Sequence, residues 1–135
     1  MIYFDTDVWI NSLVNQHTEK HEESREIINN TRQAGWIISN LNIQEILFVL
    51  AKLEIPSVEI NKIAGKFLQF DVMHYSYKEL QRAIIIAEKI GYQHINDCIH
   101  TAIAESHCKE IITYNKKDFK KIEELTSIKV KILGE

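Results

Sequence analysis

Short stretches rich in β-branched and aromatic residues alternate along the chain with stretches that carry helix-capping signals. The strand-like stretches lie at residues 2–4, 36–38, 70–75, 110–114 and 129–133. Strands separated by helices form βαβ units, in which a mostly parallel sheet is covered by helices on both faces. The pattern therefore predicts an α/β fold, and in such folds ligands bind at the carboxyl ends of the strands.

Capping residues set the predicted helix boundaries. Two pairs have the spacing of a capping box, in which the side chains at the helix start and three residues later bond each other's backbone amides. These pairs are Asn42 with Glu45, before ILFVLAKL, and Ser76 with Glu79. Gly91 is predicted to end the second of these helices, and Ser57, after the single proline, to cap another.

Length and composition limit the chain to one ordinary domain. Its 135 residues are predicted to form a single domain over residues 1–135, since four glycines and one proline mark no linker. The N-terminus lacks the basic start of a signal peptide, and no apolar run approaches the ~20 residues that span a membrane. We therefore expect no membrane contact, a cytoplasmic location and reduced cysteines.

The stretch NDCIHTAIAESHC holds two histidines, two cysteines and an aspartate, a composition that suggests a zinc site. On a helix, His100 and His107 stand roughly 10 Å apart and the two cysteines about 15 Å apart. Neither pair can share one ion, and a disulfide needs Cα atoms within about 7 Å. His94 and Cys98 have suitable spacing but supply only two ligands. Asp97 lies in the first turn of this helix, where the helix dipole favours a carboxylate, and by itself that position does not indicate a function.

Carboxylates follow two of the predicted strands. Asp5 and Asp7 come directly after the first strand, and Asn115 and Asp118 follow the fourth. Helix capping alone would explain each of these positions. If the two strands are neighbours, however, these side chains face the same crevice, and the helix starts that carry Glu45 and Asp97 border it.

Carboxylates crowded in this way raise one another's pKa values or recruit a cation. Oxygen ligands select a hard ion such as Mg²⁺ or Mn²⁺, which can activate water and stabilise the charge that develops on a phosphodiester. The net charge of −3 disfavours general binding of nucleic acid. A local lysine cluster next to the acids can nevertheless contact flanking phosphates, or can be a solvated helix face. Its members are Lys116, Lys117, Lys120 and Lys121.

Four stretches occur in a familiar order: IYFDTDVWI, NIQEILFVL, NDCIHTAIA and IITYNKKDF. They resemble the PIN-domain family, and especially its VapC-type toxin ribonucleases, over nearly the whole chain. The resemblance implies an endoribonuclease dependent on Mg²⁺ or Mn²⁺, with a three-layer α/β/α fold around a parallel five-stranded sheet. It also implies an RNA substrate, a homodimer, and a cognate antitoxin that inhibits the toxin and itself binds operator DNA.

The resemblance also assigns roles to individual residues. Asp5, Glu45 and Asp97 match the family's acidic positions and would hold metal, directly or through water. Family members carry at the fourth position either an aspartate or an asparagine followed three residues later by aspartate. This chain has the second form, so either Asn115 or Asp118 completes the set, with Asp118 as the fourth catalytic acid.

Three further positions are compared with the family pattern. Thr6 and Thr113 match positions that support the site through hydrogen bonds. Asp7 departs from the asparagine or serine that is common there, and it either adds negative charge to the site or caps the helix.

Two rival interpretations remain at this point. DTDVW also resembles the opening motif of haloacid-dehalogenase-like phosphatases, in which Asp5 would be a nucleophile and Asp7 a general acid. Trp9 and Asn115 stand where that family usually has other residues. The second rival is a catalytically weak PIN domain that binds RNA or acts as a scaffold, although such a module has no need for crowded carboxylates.

Overall fold

A computed structural model describes residues 1–134 of the chain as a parallel sheet with helices on both faces. The strands are β1 (Ile2–Phe4), β2 (Trp36–Ile37), β3 (Glu110–Thr113) and β4 (Lys129–Ile132). The helices are α1 (Thr6–Leu13), α2 (Thr18–Asn30), α3 (Asn40–Lys52), α4 (Ser57–Phe67), α5 (Tyr77–Ile90), α6 (Ile95–His107) and α7 (Lys116–Glu123). A single 3₁₀ turn, Tyr92–His94, joins α5 to α6.

The strands lie in the order β2-β1-β3-β4, and each neighbouring pair is parallel. β1 is central, so that Tyr3 has Ile37 on one side and Ile111 on the other. The strand that precedes Asp5 is therefore the neighbour of the strand that precedes Asn115, as the sequence analysis assumed. The predicted α/β class, with a parallel sheet between helical layers, is confirmed.

The sheet has four strands within residues 1–134, rather than the five that were predicted. The missing strand is the stretch at residues 70–75, where the only pairing is one parallel bridge between Met73 and Ser39. Phe70 packs against Trp36 instead, with ring centroids 5.2 Å apart. The aromatic contact anchors this stretch beside the sheet, so one bridge takes the place of a strand.

The two faces of the sheet carry separate hydrophobic clusters. Along β1, Tyr3 enters the cluster beneath α5, α6 and α7, while Phe4 enters the cluster beneath α1, α3 and α4. β3 alternates in the same way, with Ile111 on the first face and Ile112 on the second. These four side chains are at most 1% exposed, and each such burial stabilises the fold by roughly 1.5–3 kcal/mol. Successive residues point to opposite faces, so a strand that is buried on both faces carries consecutive apolar residues, here Tyr3 with Phe4 and Ile111 with Ile112.

The predicted capping box at Asn42 and Glu45 is wrong. The helix begins one turn earlier, where the Ser39 side chain accepts a hydrogen bond from the Asn42 amide and Asn42 accepts one from the Ser39 amide. Asn42 is thus the third residue of α3 instead of its cap. The earlier start places Glu45 in the second turn and leaves its carboxylate free of any capping role.

Of the two other predicted helix starts, the one at Ser76 is confirmed and the cap at Ser57 is wrong. The box formed by Ser76 and Glu79 at the start of α5 is confirmed, and so is the end of that helix at Gly91. At α4, Pro56 occupies the capping position and Ser57 is the first helical residue, with no side-chain cap bond. Proline fits there because its fixed φ suits a helix start and its missing amide would have had no partner.

No helix within residues 1–134 combines the length and the apolar character that crossing a bilayer would require.

Gly91 has a φ of +112°, a value that L side chains rarely adopt, and it starts the turn that carries His94. We expect Gly91→Ala to lower the free energy of unfolding by about 1–3 kcal/mol, the usual cost of a strained backbone conformation. The matched control is Gly65→Ala in α4, where an added methyl group meets nothing within 4 Å. Because glycine is unfavourable inside a helix, this control should gain about 0.5–1 kcal/mol. Urea unfolding measures both values, and equal effects would contradict the assignment of strain to Gly91.

Candidate functional site

A cavity of about 580 Å³ opens at the carboxyl ends of β1 and β3. One side of it is polar and carries the carboxylates of Asp5, Asp7, Glu45 and Asp97. Ile10, Phe48 and Val49 form an apolar wall. The position agrees with the general placement of ligands in parallel sheets.

Asp5 lies at the base of the cavity, directly after β1. One carboxylate oxygen accepts a hydrogen bond from the Thr6 amide and the other accepts one from the Thr113 hydroxyl, both at 2.8 Å. Asp5 is therefore the N-cap of α1, and β3 orients its second oxygen. Burial raises the pKa of Asp5 even though the nearby His100 and these hydrogen bonds act to lower it.

Asp7 also points into the site and does not cap α1. Its two oxygens accept from the Tyr114 amide at 3.2 Å, directly after β3. Burial, followed by repulsion from Asp5, raises the pKa of Asp7 well above its ordinary value. Of the two roles left open by the sequence, the geometry matches an added acid of the site.

Glu45 reaches the cavity from α3 and is held from three sides. One of its oxygens accepts from the Thr6 hydroxyl and from Nε2 of His100, each at 2.6 Å, and the other accepts from the Asn96 amide group at 3.1 Å. Burial alone would raise the pKa of Glu45, but these hydrogen bonds and the charge of His100 outweigh it and lower the pKa. Glu45 is thus an ionised carboxylate with a set orientation.

His100 is the contact that the sequence analysis missed. The ring is 1% exposed, and its second nitrogen shares a hydrogen bond with the Tyr3 hydroxyl, which also bonds Ser39 at 2.8 Å. Burial lowers the pKa of His100, but the bond to Glu45 and the neighbouring acids raise it above its ordinary value. The sequence spacing could have indicated that His100 belongs to the site, because His100 lies one turn after Asp97 on the same face of α6.

Asp97 occupies the first turn of α6, as predicted, and borders the same cavity. Burial, then repulsion from Asp5 and, more weakly, from Asp118 and Glu45, raises the pKa of Asp97 to about 7. The helix start favours a carboxylate at this position. For Asp97, burial and then repulsion from the neighbouring acids outweigh this effect and raise the pKa.

The two candidate ligands that follow β3, Asn115 and Asp118, have different surroundings. Asn115 lines the cavity and caps α7 by accepting from the Asp118 amide at 3.2 Å, while its own amide group donates to the Asp118 carboxylate at 2.9 Å. Asp118 lies beside His94 and Asp97, and ligand atoms of these three side chains all lie within 4.8 Å of one another. Sequence reasoning had paired His94 only with Cys98, and it missed the proximity of Asp118.

The four lysines of α7 do not all line the same surface depression. Lys116, Lys117, Lys120 and Lys121 are all exposed. Lys120 and Lys121 line a separate depression together with Lys89, and none of these three residues lines the carboxylate cavity. Lys116 and Lys117 are the first two residues of α7 and directly follow Asn115, which lines the carboxylate cavity.

A second concave surface, which we call the aromatic groove, lies between α1, α2 and α4. It has a volume of about 410 Å³ and its apolar lining includes Trp9, Trp36, Phe67 and Phe70. The indole nitrogen of Trp9 is buried and has no hydrogen-bond partner. Arg25, Arg32 and Lys66 provide positive charge at its edges.

Comparison with known proteins agrees with this geometry. The family model of the PIN domain matches residues 2–125. A chain in the crystal structure of FitAcB from Neisseria gonorrhoeae has the same fold, with a TM-score of 0.71 at 16% identity over 97% of this chain and 96% of that chain. The curated proteins include no significant match. The resemblance seen in the sequence is therefore confirmed, and the chain belongs to the PIN-domain family.

Proposed function

We propose that this protein is an endoribonuclease that needs Mg²⁺ or Mn²⁺ and acts as the toxin of a toxin–antitoxin pair. The observation that carries the proposal is the convergence of Asp5, Glu45 and Asp97 from three elements on one cavity. The PIN-domain assignment supports nuclease chemistry for this arrangement. It favours a nuclease over the phosphatase interpretation of Asp5 and Asp7.

The donor set of the cavity fits a hard divalent cation. Asp5, Asp7 and Asp97 all have raised pKa values, for which burial is the main cause and mutual repulsion a further one. Carboxylate oxygens are the ligands that Mg²⁺ and Mn²⁺ prefer, and a bound cation would relieve the repulsion. When bound, such an ion lowers the pKa of water and stabilises the charge that develops on the phosphodiester. We propose Asp5, Glu45 and Asp97 as its ligands, with Asn115 or Asp118 completing the set.

The remaining polar groups keep these carboxylates in position. Thr113 and Thr6 each donate to a carboxylate, to Asp5 and Glu45 respectively, in keeping with the supporting roles proposed for them. His100 fixes the second turn of α3 by its bond to Glu45. A cation site needs ligands that do not reorganise during the reaction, and these donors provide that rigidity. We propose that Lys116 and Lys117, which directly follow Asn115 in the chain, contact phosphates of the RNA strand.

The proposed partners follow from the same assignment. The aromatic groove is large enough to take apolar side chains, and its Arg25, Arg32 and Lys66 would attract acidic ones. We propose that an apolar and acidic segment of a cognate antitoxin covers this groove, and that DNA contacts the complex only through the antitoxin. The resemblance to VapC-type toxins further suggests a homodimer in the cytoplasm.

The nuclease proposal is tested by RNA cleavage with Mg²⁺, with Mn²⁺ and with a chelator. We expect cleavage only with the cations, and a loss of at least about 100-fold in Asp5→Asn and in Asp97→Asn, because each removes a charged oxygen from the site. The matched control is Asp71→Asn, which neutralises an exposed carboxylate elsewhere. Unchanged cleavage by both site variants would contradict the assignment, and RNA binding without cleavage by the wild type would favour the scaffold interpretation.

The raised pKa of Asp97 predicts a pH-dependent stability. Between its ordinary value of 3.8 and about 7, the folded state holds a proton that the unfolded state has lost, so stability falls as pH rises through this window. Asp97→Asn removes this effect. In chelator, we expect the variant to melt at least about 3 °C above the wild type near pH 8, and the gain to shrink near pH 4.5. Equal melting curves at both pH values would show that Asp97 is not crowded.

The partner proposal predicts that the product of the adjoining reading frame co-purifies with this chain. Phe70→Ser should weaken that complex by at least about tenfold, because an aromatic side chain in a groove is a typical binding hot spot. Tyr77→Ser is the control, since Tyr77 is an exposed aromatic residue outside the groove. Calorimetry on the purified components measures both effects. A partner that binds Phe70→Ser and the wild type equally would place its surface elsewhere.

A further inference from the structure

We propose that His94, Asp97 and Asp118 form a mixed nitrogen–oxygen site that prefers a divalent ion of the first transition series to Mg²⁺. The site adjoins the carboxylate cavity and shares Asp97 with it. The inference rests on the proposed function in one respect, because it adds a ligand to the cation-binding region of the same nuclease. It goes further because the added ligand, His94, offers an imidazole nitrogen, whereas the acids offer carboxylate oxygens.

The geometry brings three potential ligand atoms together. One ligand atom from each of His94, Asp97 and Asp118 lies within 4.8 Å of the other two. Nδ1 of His94 is 3.6 Å from the Asp118 carboxylate. Atoms that share an ion at metal–ligand distances of about 2.0–2.2 Å lie at most ~4.4 Å apart, so only small side-chain adjustments are needed.

The backbone explains why the three side chains meet. His94 ends the 3₁₀ turn that Gly91 begins, and Asp97 follows three residues later, so both lie on the same side of the start of α6. Asp118 comes from the first turn of α7, and the Asn115 amide group holds its carboxylate. The 3₁₀ turn thus positions one side of the cluster, and the hydrogen bond from the Asn115 side chain positions the other.

The chemistry of the cluster differs from that of the cavity. Imidazole nitrogen is a good ligand for ions such as Co²⁺, Fe²⁺ and Zn²⁺, whereas Mg²⁺ favours oxygen and retains its water. The carboxylates of Asp97 and Asp118 supply the negative charge that such an ion needs. The side chains of His94 and Asp118 are 15% and 19% exposed, so an ion can enter while most of the cluster is shielded.

A simpler alternative exists for His94. It can form an ion pair with Asp118 and have no affinity for metal, since the two groups are already 3.6 Å apart. An ion pair needs only a positive imidazole, whereas a metal site needs a free nitrogen lone pair. The two interpretations therefore predict different effects of His94 variants on metal affinity.

The test is calorimetric titration of the metal-free protein with Co²⁺ and, separately, with Mg²⁺. We expect His94→Ala and His94→Gln each to raise the Kd for Co²⁺ at least about tenfold and that for Mg²⁺ less than about twofold, because only Co²⁺ gains from nitrogen. Visible absorption of bound Co²⁺ should change in the same variants. The control is His74→Ala, which removes an exposed histidine outside the cluster and should leave both affinities unchanged.

The outcomes separate this inference from the proposed function. If His94 variants bind Co²⁺ as the wild type does, or if the wild type does not bind Co²⁺, the cluster is an ion pair only and the inference is overturned. RNA cleavage with Mg²⁺ would then still stand. Conversely, Co²⁺ binding that depends on His94 in a protein that cleaves no RNA with any cation would support the metal site and reject the nuclease.

Discussion

The parallel pairing of β1 with β3 is the constraint on which the site depends. Asp5 continues this ladder by donating its amide to the Ile112 carbonyl at 2.9 Å, so the two strands end side by side. Thr113 then reaches Asp5, and the amide of Tyr114 reaches Asp7. Residues more than a hundred positions apart in the chain meet because two short strands are in register. A shift of one residue would turn each side chain to the opposite face.

Bringing these carboxylates together in a buried cavity lowers the stability of the fold, and His100 offsets part of this effect at Glu45. Three carboxyl groups of the cavity have raised pKa values, so the folded chain holds them in an environment that disfavours their charge. Glu45 is the exception, since His100 donates to it from within the core. The Tyr3 hydroxyl in turn holds the ring of His100 and also bonds Ser39, so the hydrogen bonds run from the central strand to the start of α3. Stability is thus reduced at the place where we propose the cation site, a common feature of functional sites.

Local signals predicted much of the fold and the approximate location of the acids. The strand positions, the cap at Ser76 and the end of α5 at Gly91 depend on residues close in sequence. Predictions that depend on distant contacts were less successful. The stretch at 70–75 has strand composition, but it forms one bridge with Ser39, and its Phe70 packs on Trp36. The proximity of His100 to Glu45 and of His94 to Asp118 required the folded arrangement of α3, α6 and α7.

β4 lies at one edge of the sheet, and β2 lies at the other. Its sequence is KVKI, and the two lysines are exposed while the two apolar residues are half buried. Lysine on an edge strand discourages pairing between molecules, because a second chain would have to bury or repel its charge. One lysine, Lys129, is also tied to Glu110 at 3.3 Å. At this edge of the sheet, the charge of β4 therefore opposes pairing with a strand of a second molecule.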